Sequence, residues 1–267
     1  MKQVLIFDLD DTLILQDRMT VETVRYCTAF LGLDAEIFWS TFQRTSREAF
    51  EALPSAEYCR MVGISAQEGL WGDFGGGHPS LTILRRNLDS YRFQAWHEAL
   101  DEHGFPDADL ARSIAADFAS LRGRRYYAFP GARTILTALK KTFSLAILTN
   151  GAPELQWSKV HLSGLEDLFD SVTVSGDYSI GKPQKEIFEV VFAKHPGVSD
   201  FIMIGNSLTS DIRGARNAGI PCIWYEQGDE PKDVPVRADA VIRSLLDLPR
   251  ALESVLPLVS SAKKSNS

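Results

Sequence analysis

Residues 4 to 13 read Val4-Leu5-Ile6-Phe7-Asp8-Leu9-Asp10-Asp11-Thr12-Leu13, and the interpretation of this stretch decides the fold. Val4 to Phe7 is a short, wholly apolar run, the composition of a strand buried on both faces. Asp8, Asp10 and Asp11 follow at its carboxyl end, and unpaired carboxylates could not sit in an apolar core. Open α/β sheets place ligands just beyond the carboxyl ends of their strands, so carboxylates there point to a site. Asp8 and Asp10 are two residues apart and in extended chain face the same way. A divalent cation among them would relieve their repulsion. The plain alternative is a strand followed by a solvated acidic turn, and other segments must choose between the two.

The chain has 267 residues, 45% of them apolar, enough for one large or two modest globular domains with a proper core. Its formal charge of −7 and lack of a basic tract argue against non-specific nucleic-acid binding, which needs clustered Lys and Arg. An anionic substrate would therefore need local positive charge or a metal. Cys27, Cys59 and Cys222 are far apart and form no C-x-x-C pair, so neither a disulfide framework nor a zinc ribbon is expected. A reducing, cytoplasmic setting fits best. The short apolar run before Asp8 is too small for a signal-peptide core, and no stretch approaches membrane-spanning length.

From Ile14 to Phe129 the pattern is helical, with apolar residues recurring at three and four over Val21–Leu31, Ile37–Leu53, Leu81–Leu100 and Leu110–Leu121. Asp34 and Asp107 are placed to cap helices, and Gly32 and Gly104 to end them. Gly72-Asp73-Phe74-Gly75-Gly76-Gly77-His78-Pro79 interrupts the helices as a loop. Its glycines could cradle a phosphate, but no Lys-Ser or Lys-Thr follows to make a P-loop. His97 and His103 are six residues apart, too far for a zinc-protease helix, and read as surface histidines. Arg122, Arg124 and Arg125 suit a solvated helix terminus, or one of them an anionic part of a substrate. Pro130-Gly131 then opens a helix over 132–141, with a proline-led first turn expected.

The second half alternates elements: strands at Leu145–Leu148, Ser171–Val174, Phe201–Ile204, Ile220–Trp224 and Ala240–Ile242, with helices over Glu154–Leu162, Gln184–Lys194 and Asp211–Ala218. Strands separated by helices make parallel βαβ units and hence a doubly wound sheet. The expected organisation is a core of 1–13 and 130–259, an inserted helical domain of 14–129 and a polar tail of 260–267.

Other strand ends repeat the chemistry of the first. Thr149, Asn150 and Gly151 follow Leu148, where a hydroxyl and backbone amides could donate to phosphate oxygens. Lys182, in Gly181-Lys182-Pro183, could be an ordinary surface lysine or could offset charge among the carboxylates. Gly205-Asn206-Ser207-Leu208-Thr209-Ser210-Asp211 puts polar groups at another strand end, with Asp211 in a helix's first turn. It is not a serine-hydrolase elbow, because Thr209 stands where the second glycine is needed.

Taken in order, Asp8-x-Asp10-x-Thr12, Leu148-Thr149-Asn150-Gly151, Gly181-Lys182-Pro183 and Gly205-Asn206-Ser207 through Asp211 resemble motifs one to four of the haloacid dehalogenase-like hydrolase superfamily. Most of its members are phosphatases. The helical insertion resembles its type-one cap, so the likeness covers nearly the whole chain. The resemblance implies a Rossmann-like α/β core, a doubly wound parallel sheet with an inserted all-helical cap, that uses Mg2+ and an aspartyl-phosphate intermediate. It makes Asp8 the nucleophile, Asp10 the acid/base and Lys182 a source of positive charge. It gives phosphate binding to Thr149, Asn150 and Gly151, and metal binding to Asp8, Asp10, Asn206 and Asp211. Asn206 departs from the family, which usually has an acidic residue there; its amide can still coordinate a hard cation but brings no charge, so weakened magnesium binding is expected. The implied substrate is a small phosphorylated metabolite of the nucleotide, sugar phosphate or phosphoglycolate class, handled by a monomer or homodimer. A metal-independent 2-haloacid dehalogenase and a catalytically silent member of the fold are the alternatives; Asp10 speaks against the first, and Asn206 alone supports the second.

Overall fold

In a computed structural model, residues 3–228 and 235–262 are described. Six parallel strands form one sheet: β1 Val4–Phe7, β2 Ser144–Thr149, β3 Ser171–Val174, β4 Phe201–Gly205, β5 Cys222–Tyr225 and β6 Ala240–Ile242, in the order β3-β2-β1-β4-β5-β6. This is the doubly wound Rossmann-like core expected from the alternating pattern. The helices are α1 Gln16–Thr28, α2 Ala35–Glu51, α3 Ala56–Val62, α4 Ala66–Gly69, α5 Pro79–Glu102, α6 Ala108–Arg122, α7 Ala132–Leu139, α8 Pro153–Leu162, α9 Lys185–Ala193, α10 Arg213–Asn217 and α11 Leu248–Ala262.

β1 lies at the centre, with Phe7 in register with Ile147 of β2 and Ile204 of β4. All its side chains are buried, and they alternate between two apolar layers as a strand's period of two requires. Leu5 and Phe7 join Leu145, Ile147, Ile202 and Ile204 beneath residues of α7 and α11 such as Leu136 and Leu252. Val4 and Ile6 join Ala146, Leu148 and Met203 beneath Phe188 of α9 and Ala215 of α10. Covering both faces is what permits wholly apolar strands with no polar alternation.

The chain divides into two compact units, residues 1–15, 127–150 and 159–267 in one and 16–126 with 151–158 in the other. Residues 14–15 and 127–129 thus belong with the sheet, and 151–158 with the helices, against the boundaries drawn at 13/14 and 129/130. The cause of the second departure is local: Gly151 donates its N–H to Val62 O at 2.9 Å, and Ala152 and Leu155 sit in the helical unit's apolar core. α11 continues to Ala262, past the boundary expected at 259/260; 263–267 lie outside the described residues.

The helical unit is organised around Phe38, Phe42, Trp96 and Phe118, with Phe42 and Trp96 ring centroids 4.1 Å apart. Asp34 and Asp107 accept from two backbone amides each, capping α2 and α6. α3 and α4, two short helices, were not apparent in the periodicity; α4 is secured by a capping box of Ser65 and Glu68. The glycine-rich stretch is an inter-helix loop in which Gly75 passes so close to Glu154 that a Cβ would lie 1.3 Å from Oε2. His103 is half-buried and not a surface residue: its Nε2 is 3.1 Å from Thr41 Oγ1, and its ring meets Phe38 edge-on. His97 is half-buried as well, against Phe93.

Arg122 fits neither sequence reading. It is fully buried, donating to Thr20 Oγ1 at 3.0 Å, Gln16 O at 3.1 Å and Arg125 O at 3.0 Å, with its guanidinium 4.2 Å above the Trp71 ring. Five donors on a planar group let it tie the end of α6 to the start of α1. Pro130 precedes α7 without opening it; Gly131, at φ 82°, is the N-cap. Among the described residues no helix is long and apolar enough to cross a membrane.

Candidate active site

The site within the sheet unit assembles at the carboxyl ends of the central strands. Asp8 is the first residue past β1, its N–H donating to Ile204 O at 2.9 Å, so the neighbouring strand fixes its backbone. Thr149 ends β2, Gly205 ends β4, and Lys182 comes from the loop between β3 and α9. Lys182 Nζ lies 2.6 Å from Asp8 Oδ1, 2.7 Å from Asp211 Oδ1 and 2.9 Å from Leu148 O. An ammonium has three protons, and these acceptors account for all of them. The side chains of Lys182, Asp8 and Asp211 are 2%, 10% and 1% exposed, so solvent screens the cluster little.

Local sequence places each of these groups. Asn150 clamps the Lys182 backbone reciprocally: Nδ2 donates to Lys182 O and Oδ1 accepts from Lys182 N–H, both at 2.9 Å. The Lys182–Pro183 bond is cis. Asp211 lies within a turn of π-helix over Leu208–Ile212 that leads into α10, and its Oδ2 accepts from Ser207 N–H at 2.9 Å. Gly205 is required for the approach, since a Cβ there would sit 2.3 Å from Asp211 Oδ2. Thr12 Oγ1 is 3.0 Å from Asp8 Oδ2 and 3.3 Å from Asn206 Oδ1, and accepts from Asn206 N–H at 3.1 Å. Trp224 Nε1 donates to Asn206 O at 2.8 Å and fixes that residue from β5.

The Asp8 carboxyl is raised to about 7, above all by burial, with the Lys182 ammonium opposing the shift and the neighbouring Asp211 adding to it. For Lys182 burial works against the charged form, but Asp211 and Asp8 outweigh it and hold the ammonium above its ordinary value.

Asp8, Lys182 and Asp211 are therefore in direct contact, and Asn206 joins them through Thr12. Asp10 is held differently: Lys159 Nζ, fully buried, lies 2.9 Å from both Asp10 Oδ1 and Oδ2. Thr149 is buried with Oγ1 3.4 Å from Asn150 O, a weak contact that a better acceptor could replace. The Gly151 amide, expected to donate to phosphate, is engaged by Val62 O. Sequence reasoning passed over Lys159, although a lysine between the buried residues Leu155 and Val160 was a usable signal. It also gave no role to Thr12 or Trp224, and assigned Asn150 a backbone role where its side chain acts as a clamp.

Among the described residues no three His, Cys, Asp or Glu side chains gather to hold a metal. The donors available here are two carboxylates, Asp8 and Asp211, and the amide oxygen of Asn206. This all-oxygen set fits a hard divalent cation such as Mg2+.

The helical unit has a cavity of its own, about 260 Å³, lined by residues including Gln16, Asp17, Gln43, Arg47 and Gln67. Its charged groups of both signs come from segments far apart in sequence.

Residues 2–219 match the haloacid dehalogenase-like hydrolase family. A phosphoserine phosphatase of Thermus thermophilus is 33% identical over 251 residues, covering 92% of this chain and 97% of that protein. Magnesium-bound HAD-hydrolase YfnB from Bacillus subtilis superposes with a TM-score of 0.63 at 23% identity, covering 94% of this chain and 98% of that one. L-2-haloacid dehalogenase from Xanthobacter autotrophicus has the same fold, with a TM-score of 0.58 at 20% identity, 96% of this chain and 100% of that one covered. With a matching family signature, a phosphatase relative aligned over nearly the whole chain and the motif residues set at the carboxyl ends of the central strands, the chain belongs to the haloacid dehalogenase-like hydrolase family.

Proposed function

We propose that the protein is a magnesium-dependent phosphatase that hydrolyses a small-molecule phosphate monoester through an aspartyl-phosphate on Asp8. The observation that carries the reading is the setting of Asp8: a nearly buried carboxylate at the end of the central strand, 2.6 Å from the Lys182 ammonium. A carboxylate oxygen of Asp8 attacks phosphorus in line, forming an O–P bond as the ester O–P bond breaks. Asp10 gives its proton to the departing alkoxide. In the second half-reaction Asp10 takes a proton from water, the water oxygen bonds to phosphorus, and the bond to Asp8 breaks, releasing inorganic phosphate. Lys182, the Thr149 hydroxyl and the main-chain N–H of Asn150 oppose the charge that builds on the phosphoryl oxygens.

Asp8, Asn206 and Asp211 would hold the cation, and Asp10, its carboxylate engaged by Lys159, would do so through its main-chain oxygen. When bound, Mg2+ supplies positive charge to the phosphoryl oxygens. The protein should release phosphate from 4-nitrophenyl phosphate with MgCl2 and lose that activity in EDTA. Metal-free halide release from 2-chloropropionate, without phosphatase activity, would identify a dehalogenase instead. Inactivity with every divalent metal would identify a silent member of the fold. Displacement of halide needs no proton donor, so the presence of Asp10 favours phosphoryl transfer.

Asn206 contributes an oxygen without charge, so Asn206→Asp should lower the magnesium concentration for half-maximal activity about tenfold, the equivalent of about 1.4 kcal/mol. A magnesium titration identical to wild type would remove Asn206 from the ligand set. The substrate is proposed to be a small phosphorylated metabolite: a nucleotide, a sugar phosphate, phosphoglycolate or, from the name of the Thermus relative, phosphoserine. Ranking kcat/KM over a panel of about a hundred such esters would identify it, since discrimination is a difference in transition-state binding that motifs do not record.

A further inference from the structure

We propose that Lys159 is the positioning residue for Asp10, holding the acid/base carboxylate on the line to the leaving-group oxygen. The inference rests on the reading of Asp10 as acid/base, and adds to it a residue outside the four motifs.

The geometry is specific. Lys159 Nζ is 2.9 Å from each Asp10 oxygen, so the ammonium engages both oxygens equally and opposes rotation of the carboxylate. The lysine side chain is wholly buried, while that of Asp10 keeps 20% exposure. Burying an ammonium is costly unless good partners compensate it. An exposed ion pair would contribute little order, because two long side chains pay entropy to hold one geometry. Here the buried partner is the lysine, carried on α8, and the more exposed partner is the group that must meet substrate.

Asp10 needs such a support. It stands in the turn after β1, followed by Asp11 at φ 53°, and its side-chain torsions are not set by a strand or helix of its own. Asp8 is fixed by Lys182 and Thr12; Asp10 receives its own ammonium from a different element. Proton transfer to an alkoxide needs the donor within hydrogen-bond reach in a set direction, and a displacement of about 1 Å can cost roughly 10²-fold in rate.

The test uses two esters that differ in their need for a proton. 4-Nitrophenolate is a good leaving group and departs without protonation, whereas an alkoxide does not. Lys159→Met should lower kcat/KM, which reports formation of the aspartyl-phosphate alone, by about 10²-fold on an alkyl ester such as glycerol 3-phosphate or the best ester of the panel. On 4-nitrophenyl phosphate it should lower kcat/KM less than about fivefold, since that step loses only general-acid assistance, while the base role in the second half-reaction, common to both esters, is read in kcat and not in kcat/KM. A structural role would depress the two esters alike. Lys159→Gln, which shortens the side chain by one atom and removes its charge, carries the same comparison if Lys159→Met does not fold.

Asp10→Asn separates the two levels of argument. If Asp10→Asn shows no greater loss of kcat/KM on the alkyl ester than on the aryl ester, the acid/base assignment fails. If it shows that selectivity and a folded Lys159 variant does not, the assignment stands and the role of Lys159 is overturned. In the Asp10→Asn background, Lys159→Met should add no further ester selectivity; an added, independent loss would also overturn the proposal. Failure of both Lys159 variants to fold would make the lysine a determinant of stability and count against a specific positioning role.

Discussion

Asp8→Asn should abolish turnover, lowering kcat by about 10⁴-fold or more, as removal of a nucleophile does in other covalent mechanisms. The side chain keeps its size, and its carbonyl oxygen can still accept from Thr12, which lies 3.0 Å from Asp8 Oδ2. Its amide cannot attack phosphorus. Acid quenching within milliseconds of mixing with a 32P-labelled ester should leave hydroxylamine-labile phosphate on the wild-type protein and none on the variant. A variant that still hydrolyses the aryl ester at a tenth of the wild-type rate would exclude the aspartyl-phosphate route. Circular dichroism of the variant should match wild type, because Asp8 lies at a strand end and takes no part in the apolar layers.

Lys182→Met should damage both activity and stability. It removes the ammonium shared by Asp8, Asp211 and Leu148 O and leaves two carboxylates buried together. Removing one partner of a buried ionic cluster typically costs about 3–5 kcal/mol. Thermal melting in EDTA should therefore fall by roughly 10 °C. Loss of transition-state charge stabilisation should lower kcat by about 10²–10³-fold. Magnesium should raise the variant's melting temperature more than that of wild type, since the cation can replace part of the lost charge. Equal melting temperatures in EDTA would mean that the Lys182 contacts add nothing net to the fold.

The pH dependence of metal-free melting has a defined sign. Asp8 is held at about 7 by burial, above its unfolded value, so the folded protein keeps a proton that the unfolded chain has released. Its contribution to stability therefore declines as pH rises from about 4 towards 7. Lys182 is raised, so its contribution is complete below the unfolded lysine value of about 10.4 and fades as pH rises through the higher folded value. In Lys182→Met the loss should shrink as pH falls through about 7, because the buried Asp8 carboxyl becomes neutral.

Much of this was legible in order and pattern. Four apolar residues followed by carboxylates announced a central strand with a site at its end, and β1 is that strand. Cap residues and alternating strands and helices likewise yielded the helical block and the parallel sheet. α3 and α4 were not visible, because helices of seven and four residues are too short to establish a period. Arg122 and His103 were misplaced for a different reason: polar side chains are buried when partners from remote segments satisfy them, and those partners are distant in sequence.

By itself the sequence determined the fold class, the family and the strand ends at which Asp8, Thr149, Lys182 and Asp211 stand. Those follow from apolar periodicity and from short motifs whose spacing is local. Only the tertiary structure decided which charge meets which: that Lys182 serves Asp8 and Asp211 together, that Lys159 holds Asp10, and that Gly151 spends its amide on Val62. Pairings of this kind depend on angstrom-scale distances between segments up to 174 residues apart, and a one-dimensional pattern carries no such distances.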